Sequence, residues 1–346
     1  MKHPVAAAAL WTLFACTCPE RAEPAQNTPL ALDRYLHTIG LGTRELATAA
    51  EGRPVVTLLP TPNDRDLAVF GMIGVHAPPE SALAHVVQER FLAVKGRRFR
   101  VFSDPPTLSD VRDAAFAESE YRDLQHCRPG DCDFKLPAVA MQMFVQQIDW
   151  SAPEAKEQVD DRLRRGLLQL AMDYRSRGNS ATLPYDDVHG VRPGDVFLDL
   201  VAQEPGLYDY APDLERYLRN YPSGRPKGIR DYLYWSEDRM AELRPTLTLN
   251  HIVVYVPPKL SSSTAFIARK QLYASHYYEG GFDVLAVVGA GGSEGITYLL
   301  LVQRSRLDKL PGGVLNVRGR VRSQLSEGTR SDLERYRSLI ESFPTH

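Results

Sequence analysis

His251-Ile-Val-Val-Tyr-Val256, Phe266-Ile-Ala-Arg-Lys-Gln-Leu-Tyr273, Phe282-Asp-Val-Leu-Ala-Val-Val288 and Ile296-Thr-Tyr-Leu-Leu-Leu-Val302 follow one another as four β-branched, aromatic-rich runs. Pro257-Pro258, Ser261-Ser-Ser-Thr264 and Gly289-Ala-Gly-Gly-Ser-Glu-Gly295 separate them. Apolar runs between Pro, Ser and Gly punctuation are the signature of strands joined by tight connections. After Pro311-Gly-Gly313 the period changes. Val321, Leu325, Leu333, Tyr336, Ile340 and Phe343 recur at helical spacing, on roughly one face. The stretch reads as an antiparallel sheet closed by a long amphipathic helix. The space between sheet and helix is either a core or a pocket, and function turns on which.

The chain has 346 residues, enough for one large domain or two ordinary ones. It is 43% hydrophobic and 24% charged, the composition of a globular protein. Forty-one basic and 43 acidic residues give a net charge of -2. No basic excess is available to neutralise phosphates, which argues against nucleic acid as a partner.

The N-terminus, residues 1–25, reads as an export signal with a tether. Lys2 and His3 precede an apolar run from Val5 to Ala15, too short to span a bilayer but suited to a signal peptide. Leu13-Phe-Ala-Cys16 resembles a bacterial lipobox with Cys16 as the lipidated residue, although Phe14 stands where a small or aliphatic residue is usual. An ordinary secretory signal cut before Gln26 is the alternative. Either predicts an exported protein in the periplasm or at the outer membrane, and lipidation would anchor it stably. Cys127 and Cys132 flank Arg-Pro-Gly-Asp, a turn, and in an exported chain are most simply a local disulfide.

Taken in order, Pro29 to Ala50 reads as a helix with a possible break at Gly40-Leu-Gly42. Val55 to Leu59 and Leu67 to Val75 read as strands, and a helix should start at Pro78-Pro79. Leu136 to Val145, Glu154 to Arg177, Asp195 to Gln203 and Pro212 to Asn220 read as helices. Ile229 to Trp235 and Thr246 to His251 return to strand.

Phe70-Gly-Met-Ile-Gly-Val-His-Ala-Pro-Pro-Glu-Ser-Ala-Leu-Ala-His-Val86 resembles the opening of the START-like superfamily, also called helix-grip or polyketide-cyclase-like. The strands and final helix of residues 250–343 resemble its closing half. Together the two pieces cover less than half of the chain. The resemblance implies an α+β fold, a helix-grip antiparallel sheet wrapped around a long C-terminal helix, over residues 26–346. Residues about 105–226 would be a mostly helical insertion. It also implies a pocket for a hydrophobic small molecule or lipid between sheet and helix, with no cofactor. Leu272, Tyr273, Val284, Leu299 and Tyr336 are the expected wall residues.

Several groups invite a chemical reading. Tyr273-Ala-Ser-His-Tyr-Tyr-Glu279 is the densest set able to do acid–base work, so a hydrolase or cyclase-like enzyme using His276 with Tyr273 or Tyr278 is the second hypothesis. Hydroxyls satisfied at a strand end are the plainer alternative. Tyr185-Asp-Asp-Val-His189 offers two carboxylates and an imidazole, but no further ligand at telling spacing, so a polar loop is expected and no metal site. The Gly289–Gly295 loop lacks the order of a phosphate loop and precedes a strand, which leaves a hairpin turn. Tyr232, Tyr234 and Trp235, with Tyr208 and Tyr210, suit packing of helices on the sheet or the wall of a cavity. Arg304-Ser-Arg-Leu-Asp308 can pair charges at the sheet's end or hold an anionic head. A structural envelope protein with a filled core is the third hypothesis.

Overall fold

The computed structural model describes residues 28–92, 98–187, 190–204, 209–238, 244–258, 264–290, 295–308 and 317–342. Helices α1 (Thr28–Thr38) and α2 (Thr43–Ala50) lead into strands β1 (Val55–Leu58) and β2 (Asp66–His76). The break between α1 and α2 falls where Gly40 adopts a positive φ of 77°, which glycine enters without strain. Helix α3 (Pro79–Leu92) starts at the expected prolines and is followed by the short β3 (Phe99–Val101). Helices α4 (Tyr121–Leu124), α5 (Ala138–Gln147), α6 (Ala155–Arg177), α7 (Pro193–Ala202) and α8 (Pro212–Asn220) come next. Strands β4 (Ile229–Asp238), β5 (Thr246–Tyr255), β6 (Thr264–Ala274), β7 (Tyr278–Gly289) and β8 (Ile296–Leu307) then precede α9 (Val317–Glu341).

All eight strands form one antiparallel sheet in the order β1-β2-β8-β7-β6-β5-β4-β3. From β4 to β8 it is a plain meander. The N-terminal β2 pairs with the last strand along its whole length, His76 opposite Ile296 and Asp66 opposite Arg306. With α9 over one face, this is the helix-grip arrangement. Thr246 to Tyr255, legible as two runs, is one strand.

The sheet is covered on both faces, which explains strands that are buried at nearly every position. On one face α9 packs over β1 and β2, and α3 packs over β6 and β7. Alternation sends Ile73, Ile252, Ile267, Leu285 and Leu301 to that side, with Leu333, Tyr336 and Ile340 of α9. Gly71 lets α9 approach closely, since a Cβ there would lie 2.6 Å from Thr329 Cγ2. The opposite side chains, among them Phe70, Leu249, Phe266 and Leu300, meet the helices of the 105–226 segment and α1. Within that layer α6 buries Val159, Leu163, Leu167, Ala171 and Tyr174 at helical spacing.

Polar contacts fasten the helical layer to the sheet. Arg304 reaches Glu204 at 2.6 Å, and Tyr35 donates to the same carboxylate at 2.9 Å. Arg306 pairs with Asp66 at 2.7 Å and Asp199 at 3.0 Å. Asp308 pairs at 3.0 Å with Lys135, which also holds Asp187 at 2.5 Å. The Arg304–Asp308 stretch therefore spends its charges inside the protein. The Tyr185–His189 carboxylates are used the same way: Asp186 caps the start of α5 through Ala138 N at 2.7 Å. His189 lies outside the described residues, as do Cys16, Tyr208 and Phe343. Cys127 and Cys132 are joined as a disulfide across the expected turn.

Candidate functional site

The long C-terminal helix meets the sheet in two different ways. From Leu333 to Ile340 it is core, with Leu333 fully buried. From Val321 to Gly328 it leaves a cleft of about 660 Å³ against the sheet, and at Thr329 it is already seated on Gly71 of β2. Leu67 of β2, Leu307 of β8, and Val321 and Leu325 of α9 give the cleft its apolar walls. Tyr278, Gln303 and Ser305 place polar groups on the sheet side. Thr329 closes the end nearest the core, its hydroxyl donating to Leu325 O at 2.8 Å and lying 2.9 Å from Gln303 Oε1. The space is thus a core at one end and a cavity at the other.

The face that continues from the cleft is polar, which is unusual for a sheet interior. Ser305 stands opposite Gly281, Gln271 lies over Gly281, and Asn250 stands opposite Gln271 and Tyr234. Gly281 makes room for Gln271, whose Oε1 sits 3.0 Å from where a Cβ would be. Asn250 donates to Thr248 Oγ1 at 2.9 Å, and Thr248 meets Ser236 at 3.0 Å. Arg269 pairs across the strands with Asp283 at 2.5 Å. Burial pushes the Tyr234 phenol up to about 12, and burial with the nearby Asp238 charge does the same for Tyr278. Both phenols therefore stay protonated at neutral pH, and the Tyr234 oxygen accepts a hydrogen bond from Arg269. Among the described residues two buried atoms in this row have no hydrogen-bond partner, the Asn250 Oδ1 acceptor and the Gln271 Nε2 donor. Leaving such groups unsatisfied costs about 1–3 kcal/mol each.

None of the five expected wall residues lines the cleft. Leu299 and Tyr336 face it from the correct side, but lie where α9 is pressed on the sheet. Leu272, Tyr273 and Val284 point through to the helical layer. Alternation is the reason: Val284 and Leu285 are neighbours on opposite faces, and the irregularity beside Leu249 turns both Leu272 and Tyr273 away from α9.

The acid–base set is divided in the same way. His276 is buried against Phe134, with Nδ1 2.9 Å from Asp133 O and Nε2 2.6 Å from Glu120 Oε1. Both nitrogens are committed to the helical layer. Ser275 Oγ accepts from Leu247 N at 3.0 Å. Tyr273 is buried on the same side, its phenol held up by burial and the Glu120 charge, while Tyr278 opens on the cleft. The three residues do not converge on one cavity. Among the described residues no group of His, Cys, Asp and Glu is placed to hold a metal ion, and no helix is long and apolar enough to cross a membrane.

The lining residues Gln303 and Ser305 follow the apolar run of β8, where Gln-Arg-Ser-Arg-Leu gives polar side chains to both faces. Asn250 and Gln271, polar residues within strand runs, were the legible signs of the polar row.

No family model matches the chain, and no curated protein matches it. Among solved structures, the Zhui aromatase/cyclase from Streptomyces sp. R1128 is similar over 43% of this chain and 86% of its own, at 13% identity and a TM-score of 0.24. A superposition that loose shows nothing about activity, and the helix-grip description rests on the strand order and the position of α9.

Proposed function

We propose that this chain is a binding protein that holds a small amphipathic molecule, of lipid type, in the cleft between β8 and the first half of α9. The observation that carries this is the cleft itself. At about 660 Å³ it lies within the range of small-molecule sites, about 300–1,000 Å³. Leu67, Leu307, Val321 and Leu325 suit a hydrocarbon body. Tyr278, Gln303 and Ser305, with the polar row behind them, suit a hydroxylated or amide head.

We also read the chain as exported. The Cys127–Cys132 disulfide supports an oxidising compartment, and Cys16 would supply an anchor. The acid–base alternative has no support of this kind, because His276 has no free nitrogen to offer a substrate.

The test is thermal unfolding of delipidated protein with oleate, monoolein and a lysophospholipid. A ligand present at a hundred times its Kd stabilises by about 2.7 kcal/mol. Stabilisation by at least one of the three, and its loss in Leu325→Trp, is the expected result. No stabilisation by any of them removes the proposal.

A further inference from the structure

Among the described residues two lysines are buried, and they are treated differently. Lys135 has two carboxylates, Asp187 and Asp308. Lys270 of β6 is fully buried on the opposite face from the cleft and, among the described residues, has no carboxylate partner. Its Nζ donates to Asn179 Oδ1, lies 3.4 Å from Tyr174 OH and stands 4.1 Å from the centre of the Phe197 ring. Tyr174 OH lies 2.9 Å from His251 Nδ1. His251 Nε2 is buried and, among the described residues, has no hydrogen-bond partner. With His251 Nδ1 as acceptor, the hydrogen bonds run from amine to phenol and from phenol to imidazole, leaving an N–H at the far end. Burial brings the Lys270 amine down to about 7, and burial with the Lys270 charge holds His251 well below the usual imidazole value.

Asn179 is also a wall residue of a second cavity, of about 520 Å³. Tyr221, which packs 4.4 Å from the His251 ring, is another. The charged residues of this lining are Arg177, Arg216 and Arg219, with no acid among them. Each arginine has an acidic partner on its own helix, Asp173, Asp213 and Glu215, at 2.9 Å. Exposed pairs of that kind are worth only about 0.3–0.5 kcal/mol, so the guanidiniums can turn to an anion.

We propose that Lys270 is an imine-forming lysine, and that the arginine-lined cavity admits its partner, a small anionic aldehyde or 2-oxo acid. The carboxylate sits on Arg216 and Arg219, and the carbonyl reaches Nζ once the Asn179 side chain turns aside. The nitrogen lone pair attacks the carbonyl carbon, and the oxygen takes up a proton as the nitrogen loses one. The resulting carbinolamine loses its hydroxyl with the second amine proton as water. One amine and one carbonyl give one imine and one water, with no oxidant or reductant. Tyr174, hydrogen-bonded to both Nζ and His251, is placed to pass the proton. An amine half deprotonated at neutral pH in an apolar pocket has the property this chemistry needs.

The experiment is reductive trapping in the full-length protein with glyoxylate and cyanoborohydride at pH 7, read by peptide mass spectrometry. The expected result is a carboxymethyl group on Lys270, formed at least about tenfold faster than on exposed Lys156 and Lys227. Inorganic phosphate and Arg219→Gln should slow labelling of Lys270 alone, and Asn179→Ala should speed it. Lys270→Met should abolish the adduct. Labelling of Lys270 no faster than of the surface lysines overturns the proposal, as does a Lys270 rate indifferent to both phosphate and Arg219→Gln. The arginine variant keeps the test decisive if Lys270→Met does not fold.

Discussion

Replacing Lys270 by Met removes an amine that the fold holds near pH 7 and that titrates at an ordinary 10.5 once the chain unfolds. Between those two values the unfolded chain binds more protons than the folded one, so stability rises with pH. Below pH 7 both states carry the proton and the dependence vanishes. Each full unit of difference is worth about 1.4 kcal/mol. Part of the first unit is lost because the folded amine is itself half protonated at pH 7. The net gain from pH 7 to pH 9 is therefore about 2 kcal/mol. Other groups near the amine are Tyr174 and His251, with Arg175 and Arg225 acting on His251, and Tyr221, Tyr217 and Asp231 acting on Tyr174. His251 titrates below this window in the fold and near 6.5 out of it, and the tyrosines lie above it, so they cancel in the difference between wild type and variant. The assay is urea unfolding of wild type and Lys270→Met at pH 6, 7, 8 and 9. The wild type should gain on the variant by about 2 kcal/mol between pH 7 and 9. Parallel curves would show that Lys270 keeps an ordinary pKa in the fold, and would falsify the description of its surroundings.

Three further variants probe other parts of the structure. Gly71→Ala forces a methyl to 2.6 Å from Thr329 and 2.8 Å from Leu333; overpacking of this kind costs about 1–3 kcal/mol, measurable by denaturant midpoint, and an unchanged midpoint would mean α9 is not seated there. His276→Leu takes one of the hydrogen-bond partners of the buried Glu120 carboxylate, which keeps Ala117 N, and should cost about 1–3 kcal/mol, while thermal stabilisation by a cleft ligand remains; loss of ligand response with stability intact would restore a catalytic or binding role to His276. Changing Cys127 and Cys132 together to Ala opens a loop of sequence separation 5 and should lower stability by about 2 kcal/mol in non-reducing buffer; an equal midpoint with and without reductant in the wild type would contradict this.

The strands, the final helix and the disulfide were legible because each has a local cause. β-branched runs between Pro and Gly specify β4 to β8, and a stripe of spacing three and four specifies α9. Even Thr329 fits that stripe, between Leu325 and Leu333, although a polar residue hides it from an apolar count. The faces were not legible. A strand buried on one side alternates, and its pattern reveals which residues point inward. Here a second helical layer covers the other side, so Val284 and Leu285 are both apolar and sequence cannot say which meets α9. The cleft residues were missed for a related reason. Gln303 and Ser305 read as the solvated end of a strand, and only the stand-off of α9 turns them into a lining. Lys270 sits inside Ala-Arg-Lys-Gln, beside an arginine that faces the other way, and nothing local separates the paired cation from the unpaired one.

The most direct measurement is native mass spectrometry of gently purified wild type and Leu325→Trp, side by side. The wild type should carry one small amphipathic molecule per chain, and the variant, its cleft filled by indole, should carry none while unfolding at the same denaturant concentration or higher. A wild type that flies without a ligand, or a variant that keeps it, contradicts the assignment of the cleft.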